Sequence, residues 1–96
     1  MKWNVGIKTK VGKRLKNLPE SVQAAVVLLM LDLELHGPSA GGTWKNYGKL
    51  QGVKGDKRHC HLQKGKPTYV CCWEVINNQL KIIEVYYAGT HEKAPY

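Results

Sequence analysis

A long apolar segment with a marked beginning and end limits the folds open to this chain: LPESVQAAVVLLMLDLELHGP, residues 18–38. Pro19 suits the first turn of a helix, and Glu20 lies where the helix dipole favours a negative charge. Gly37 and Pro38 are typical of a helix end. The spacing of three and four between apolar residues predicts one buried helix face, formed by Val22, Ala25, Val26, Leu29 and Leu33. Apolar residues on other faces too predict the main core helix, with surface left for a partner.

Strand patterns surround this helix. Trp3, Val5 and Ile7 alternate with small or polar residues, which predicts a short first strand, and a basic segment at 10–16 predicts a short helix. Three further strands are predicted at 57–63, 68–76 and 80–87, with a tight turn at Asn77-Asn78. Short connections favour an antiparallel meander. We therefore predict an α+β fold in one domain, 1–96, with an antiparallel sheet packed on two N-terminal helices in the order β-α-α-β-β-β.

The glycine-rich stretch between the long helix and the second strand, GPSAGGTWKNYG at 37–48, carries no phosphate-binding signature. It contains neither GxxxxGK[ST] nor GxGxxG, and it follows a helix rather than a strand. We interpret it as a connector.

Basic residues dominate the charge, which is +8 at neutral pH, and they form two blocks. Residues 1–16 contain no acid but carry Lys2, Lys8, Lys10, Lys13, Arg14 and Lys16. Residues 45–66 contain one acid, Asp56, and carry Lys45, Lys49, Lys54, Lys57, Arg58, Lys64 and Lys66. This pattern favours a polyanionic partner, above all nucleic acid, over the alternative that the lysines only confer solubility.

Cysteine content and hydropathy indicate the compartment. The three cysteines, Cys60, Cys71 and Cys72, are odd in number and two are adjacent, so they do not form a disulfide framework. The longest apolar run is much shorter than the roughly 20 residues that span a bilayer, and the first residues lack a signal-peptide pattern. We expect a soluble cytoplasmic protein without a membrane partner.

Histidines provide the candidate chemistry, because their pKa lies nearest to neutral pH. In KRHCHLQ, side chains alternate across the predicted strand, so Lys57, His59 and His61 share one face while Cys60 and Leu62 point to the core. His91 follows the last predicted strand. A zinc site formed by the three histidines is disfavoured, since no carboxylate or CxxC spacing supports it. Proton transfer, or a role as plain surface residues, remains open.

The ordered set of features resembles one known family. The element order, the Leu18-Pro19 helix start, the step Lys49-Leu50-Gln51-Gly52 before RHCHL, and GTH at 89–91 are similar to the RelE/ParE superfamily of toxins from toxin–antitoxin pairs. The resemblance covers nearly the whole chain. Within the superfamily the chain looks most like the YafQ and RelE-like mRNA interferases, toxins that cut mRNA in the ribosomal A site.

Residue by residue, the resemblance places His61 on the strand histidine of YafQ and His91 on its GTH histidine. His59 stands where YafQ has an aspartate, and where RelE has one of two lysines. Tyr96 lies near the terminal aromatic of YafQ, and Gly48 replaces a further histidine. ParE-like members poison DNA gyrase and lack this set of residues.

The resemblance implies a ribosome-dependent mRNA endonuclease that needs no cofactor or metal. His61 and His91 are the predicted acid–base pair, with His59, Lys57 and Tyr96 as further catalytic residues, and Glu92 orients a histidine. RNA-binding residues are predicted to be Arg58, Lys49, Lys54, Lys10, Lys13 and Arg14. The implied partners are mRNA, the ribosome and an acidic antitoxin. The alternatives are a ParE-like gyrase poison or inactive binder of the same fold, and a plain RNA-binding module.

Overall fold

The computed structural model describes residues 2–63 and 65–96. Lys64, one of the cations in the second basic block, lies outside the described residues. The elements along the chain are β1 (Asn4–Ile7), α1 (Thr9–Leu15), α2 (Glu20–His36), a 3₁₀ turn (Pro38–Thr43), β2 (Gly48–Lys49), β3 (Asp56–Gln63), β4 (Tyr69–Asn77), β5 (Ile82–Thr90) and a second 3₁₀ turn (His91–Lys93).

The long helix α2 begins and ends where the sequence predicts. Pro19 lies at its N-cap, and Gly37 ends it with a φ of 86° and donates its N–H to the Leu33 carbonyl at 2.8 Å. Only glycine adopts such a φ without strain, and a Cβ there would also lie 2.9 Å from Trp3 Nε1. The buried face of the helix consists of Val22, Val26, Leu29 and Leu33. Its other side leaves Val27, Leu28, Leu31 and Leu35 exposed.

The five strands form one sheet in the order β1-β5-β4-β3-β2. The pairs β2–β3, β3–β4 and β4–β5 are antiparallel, which confirms the predicted meander. β1, by contrast, pairs with β5 in parallel, so the sheet is mixed rather than purely antiparallel. Nearly the whole chain separates these two strands, and α1 and α2 provide the crossover that a parallel pairing needs.

Three local predictions differ from the structure. The segment at 37–48 is not only a connector, because it contains the first 3₁₀ turn and ends in β2. In the turn before β5, the positive φ occurs at Lys81, while the Asn77 side chain accepts the Leu80 N–H at 2.8 Å. β5 also continues to Thr90, three residues beyond the predicted end, and so includes the first two residues of GTH.

The core lies between one face of the sheet, here called the helix face, and the two helices. Strand residues Cys60, Cys71, Trp73, Ile83 and Val85 are completely buried there against α2, and Val11 of α1 joins the same cluster. This arrangement confirms the α+β class with two helices packed on a sheet. The opposite face, here called the outer face, carries His59 and His61.

Candidate active site

Alternation along β3 separates its side chains as the sequence predicts. Cys60 and Leu62 are buried in the core, whereas His59 and His61 are half-buried on the outer face. Directly opposite residues of neighbouring strands point to the same side of a sheet. The opposite residues on β4 are Cys72 for His59 and Val70 for His61, and both are completely buried. The two histidines therefore lie beside an apolar floor on the outer face.

His91 reaches the same place from the end of β5. Its N–H donates to the Thr68 carbonyl at 2.8 Å, which holds it beside the start of β4. The following 3₁₀ turn returns the chain across the outer face, and the ring of Tyr96 packs on that of His59. The structure thus gathers four predicted residues into one group, here called the histidine cluster: His59, His61, His91 and Tyr96.

Ring distances define the cluster. The centroids of His61 and His91 lie 5.6 Å apart in an edge-to-face arrangement. Tyr96 lies 4.8 Å from His59 and 5.9 Å from His91. These residues come from β3 and from the last six residues of the sequence, which are some thirty positions apart. Only the pairing of β3 with β4 and of β4 with β5 brings them together.

Burial and neighbouring charge change the acid–base properties of the cluster. Desolvation, followed by the charge of the neighbouring His91, lowers the pKa of His61 below its ordinary value of 6.5. Desolvation also lowers the pKa of His59, with smaller contributions from His61 and His91. Burial raises the pKa of the Tyr96 hydroxyl to about 12. At neutral pH, His59 and His61 are therefore mostly neutral, and Tyr96 keeps its proton.

The ring of His59 packs against both Gly48 of β2 and Tyr96. Its Nδ1 is buried, and no hydrogen-bond partner for it is found among the described residues. Its Nε2 faces β2, where a Cβ on Gly48 would lie 3.3 Å away. Glycine at position 48 therefore lets the imidazole lie against the neighbouring strand. In the sequence alone, this glycine stands out only by its departure from the YafQ pattern.

One groove opens beside His61 and His91. It has a volume of about 620 Å³, and we call it the histidine groove. Glu92 lies in its wall next to His91, and Lys66 supplies a cation that the sequence analysis did not assign to the site. Its lining residues are His61, Gly65, Lys66, Pro67, Thr68, Thr90, His91 and Glu92.

A second groove of about 480 Å³ lies where α1 passes the second half of β5, and we call it the basic groove. It joins the two basic blocks of the sequence, because Lys10 and Arg14 of α1 line it together with Lys57 of β3. Lys8 and Lys93 line it as well, against one acid, Glu74. Lys57 Nζ lies 5.5 Å from the centre of the Tyr86 ring, within range of a cation–π contact.

The remaining predicted RNA-binding residues lie elsewhere. Arg58 is on the helix face, where its guanidinium donates to both carboxylate oxygens of Asp56 at 3.0 Å and to the Tyr47 hydroxyl. Lys49 lies 3.9 Å from Asp56 on the β2 side. Lys54 is exposed in the loop before β3, and Lys13 is exposed on α1. The structure therefore does not bring Arg58 into contact with the histidine cluster.

The site also includes residues that the sequence did not single out. Cys72 lies in the floor beside His59, and burial raises the pKa of its thiol to about 12, so it stays protonated. The buried hydroxyl of Tyr86 lies beside the Cys72 thiol. Within residues 2–63 and 65–96, no group of three or more histidine, cysteine or acidic side chains is arranged to hold a metal ion.

Membrane insertion is a separate question. Of the helices that the structure describes, none combines the length and the apolarity needed to cross a bilayer.

Comparisons with known proteins gave matches in structure but not in sequence. No protein-family model matches the chain, and no curated protein matches it significantly in sequence. Among solved structures, the archaeal RelE–RelB complex from Pyrococcus horikoshii OT3 gives a TM-score of 0.76 at 23% identity, covering 98% of this chain and 100% of that one.

Two bacterial proteins are also similar in structure. A mutant of the E. coli toxin RelE in the free state gives a TM-score of 0.69 at 15% identity, over 98% of this chain and 88% of that one. A metal-bound toxin from Helicobacter pylori gives 0.62 at 19% identity, over 95% and 97%. The chain therefore has the fold of the RelE toxins, as the resemblance in its sequence implied.

Proposed function

We propose that this protein is the toxin of a type II toxin–antitoxin system and acts as a ribosome-dependent mRNA endonuclease. One observation carries the proposal: His61 and His91 lie with their rings 5.6 Å apart at the edge of an open groove, beside Tyr96 and His59. Two groups that transfer protons near neutral pH, placed on one groove, suit general acid–base cleavage. The fold shared with RelE toxins supports the same reaction class.

The chemistry follows from what RNA cleavage without a metal requires. A base removes the proton from the 2′-hydroxyl, and the resulting oxygen attacks the adjacent phosphorus. An acid protonates the departing 5′-oxygen, and cations stabilise the charge on the phosphorane. The products are a 2′,3′-cyclic phosphate and a 5′-hydroxyl. DNA lacks the attacking hydroxyl and should not be cut.

Each side chain of the cluster suits a particular part of this reaction. His61 suits the base, because its lowered pKa keeps it neutral at pH 7. His91 then suits the acid, and Glu92 beside it in the histidine groove suits an orienting role. Tyr96, which keeps its proton and is about half exposed, suits donation to the substrate or stacking on a base.

Cations on both sides of the cluster suit the phosphates. Lys57 follows the same strand face as His59, and Lys66 lines the histidine groove. The basic groove extends this positive surface to Lys10, Arg14 and Lys93. We propose that these two grooves hold mRNA and ribosomal RNA, with Lys13, Lys49 and Lys54 in peripheral contacts. Arg58 is the least suited of the predicted RNA-binding residues, because Asp56 already neutralises it.

The proposed protein partner is an acidic antitoxin that covers part of the toxin in the cytoplasm. A surface of charge +8 attracts an acidic chain. The exposed apolar residues of α2, Val27, Leu28, Leu31 and Leu35, offer it a hydrophobic anchor. The archaeal protein of similar structure was solved as a RelE–RelB complex, which supports a protein partner for this chain as well.

The experiment that tests the function is primer extension on an mRNA in a purified translation reaction. Wild type, His91→Ala and His36→Ala are compared, with naked mRNA alongside. His36 is exposed at the end of α2, so His36→Ala is a matched histidine control. We expect new cuts at A-site codons with wild type and His36→Ala, none on naked mRNA, and a decrease of at least about 100-fold with His91→Ala.

Two results would overturn the proposal. Absence of cuts by the wild type at every concentration would favour a gyrase poison or an inactive binder of the same fold. Cleavage of an mRNA that carries a 2′-deoxy nucleotide at the scissile position would exclude the mechanism, because the attacking group would be missing.

A further inference from the structure

The peptide group that joins Thr90 to His91 is held at both of its polar ends. Its carbonyl, on Thr90, accepts a hydrogen bond of 2.6 Å from the Tyr87 hydroxyl. Its N–H, on His91, donates to the Thr68 carbonyl at 2.8 Å. A peptide group is planar and rigid, so two bonds on opposite ends fix its orientation. The Cα of His91 is attached directly to this group.

Gly89 makes the first of these bonds possible. A Cβ at position 89 would lie 2.8 Å from the Tyr87 hydroxyl oxygen and 3.1 Å from the Cζ of the same ring. Such distances are too short for a side chain to occupy without moving Tyr87. The backbone of Gly89 is not in the left-handed region, so space, and not conformation, accounts for glycine here. The ring of Tyr87 therefore packs over residue 89 and reaches the carbonyl of residue 90.

The environment keeps the Tyr87 hydroxyl in the donating form. Burial raises the pKa of this phenol above its ordinary value of 10.0. The hydroxyl thus remains protonated through the neutral range and can donate to the carbonyl. The ring of Tyr87 also lines the basic groove.

We propose that Tyr87 is a positioning residue for His91, acting through its hydrogen bond to the Thr90 carbonyl in the space left by Gly89. This proposal rests on the proposed function for its kinetic part only. It accounts for the first residue of the GTH sequence, since glycine admits the ring that orients the backbone before the histidine. The Tyr87 hydroxyl acts on the histidine through the Thr90 carbonyl to which it donates.

The test compares Tyr87→Phe with Tyr47→Phe as a matched control. The Tyr47 hydroxyl is also hydrogen-bonded, but it lies on the helix face, where it accepts from Arg58. Cleavage is measured on programmed ribosomes in single turnover over a range of toxin concentrations. A displacement of a catalytic group by about 1 Å costs on the order of 100-fold in rate. We expect Tyr87→Phe to lower the maximal rate about 10- to 100-fold with an unchanged half-saturating concentration. Tyr47→Phe should leave both unchanged.

A second measurement does not depend on cleavage. NMR of the histidine side chains follows the chemical shifts and titration midpoint of His91 in wild type, Tyr87→Phe, Gly89→Ala and Tyr47→Phe. We expect the chemical shifts and the titration midpoint of His91 to change in Tyr87→Phe and in Gly89→Ala. In Tyr47→Phe both should equal those of wild type. If the wild type cuts no RNA, the proposed function fails, and this measurement still decides whether Tyr87 positions His91.

Other outcomes would overturn the inference. One is a Tyr87→Phe variant whose His91 resonances and maximal rate equal those of wild type, even if its melting temperature falls, because the hydroxyl would then be only structural. Another is an increased half-saturating concentration with an unchanged maximal rate, which would indicate that the hydroxyl contacts RNA instead.

Discussion

The two faces of β3 differ in whether their polar side chains have hydrogen-bond partners. On the helix face, the Arg58 guanidinium donates four hydrogen bonds, to Asp56, Tyr47 and Ser39. On the outer face, at the next position along the strand, His59 Nδ1 is buried without a partner among the described residues. Buried polar groups in proteins are nearly always satisfied, and exceptions cluster at functional sites. The polar group on the helix face is satisfied within the protein, whereas the outer face keeps an unpaired polar atom in the proposed site.

The buried apolar residues of the two faces differ in what covers them. On the helix face, Trp73 and Leu29 belong to one continuous core and are completely buried. On the outer face, Val70 and Cys72 are equally buried, but they lie under the histidines instead of under a helix. They are part of the surroundings that bury His59 and His61, and this burial lowers the pKa of both. The same burial thus stabilises one face and adjusts acid–base chemistry on the other.

Two alanine substitutions, one on each face of the sheet system, should separate activity from stability most strongly. His61→Ala should lower the cleavage rate about 100- to 10,000-fold, because it removes the proposed general base, while the free energy of unfolding changes little. Leu29→Ala should lower the free energy of unfolding by about 2–5 kcal/mol, because it leaves a cavity in the core, with the folded fraction still active. Urea titration and primer extension on both variants check this. A decrease in unfolding free energy as large in His61→Ala as in Leu29→Ala would contradict the division of the two faces.

A smaller effect compares two adjacent cations on opposite faces. Arg58→Gln should lower the free energy of unfolding by about 1–3 kcal/mol, because Asp56 and Tyr47 are deprived of a charged partner. Lys57→Gln should leave stability within about 0.5 kcal/mol. It should reduce the salt dependence of RNA binding instead, by a slope of about 0.7 for each phosphate that the lysine no longer neutralises. Binding isotherms at several salt concentrations measure the slope. A reduced slope for Arg58→Gln would assign Arg58 to the RNA surface after all.

The smallest expected effect is on the pH dependence of stability. Because the folded-state pKa values of His59 and His61 are lowered, the unfolded chain binds more protons below pH 6.5. Their contribution to stability is therefore complete above pH 6.5 and disappears as the pH falls through the folded-state values. Asp56, whose pKa Arg58 lowers from 3.8, contributes only at more acidic pH.

Urea midpoints between pH 8 and pH 5 test this prediction in wild type and in the double variant His59→Gln/His61→Gln. The wild type should become less stable over this range, and the double variant should change less. An equal decrease in both proteins would show that other groups set the acid sensitivity in this range.

Local patterns of the sequence predicted much of the framework. Alternation along residues 57–63 was enough to separate Cys60 and Leu62 from His59 and His61, because side chains alternate on any strand. The helix 20–36 was equally clear from its apolar spacing and from Gly37. In contrast, alternation alone would place Tyr86 and Tyr87 on opposite faces. A register shift in the β4–β5 pairing, between Cys72 and Trp73, brings both to the outer face, and nothing in the local pattern indicates it.

Near neighbours and composition were sufficient to predict which side chains β3 presents on each face, where α2 begins and ends, and how positive the surface is. The parallel pairing of β1 with β5, the contact of Arg58 with Asp56, and the meeting of His61, His91 and Tyr96 became visible in the folded molecule alone. Most of these contacts join residues far apart in the chain. They depend on strand register and on the path of the last residues across the sheet, which the packing of the whole molecule sets.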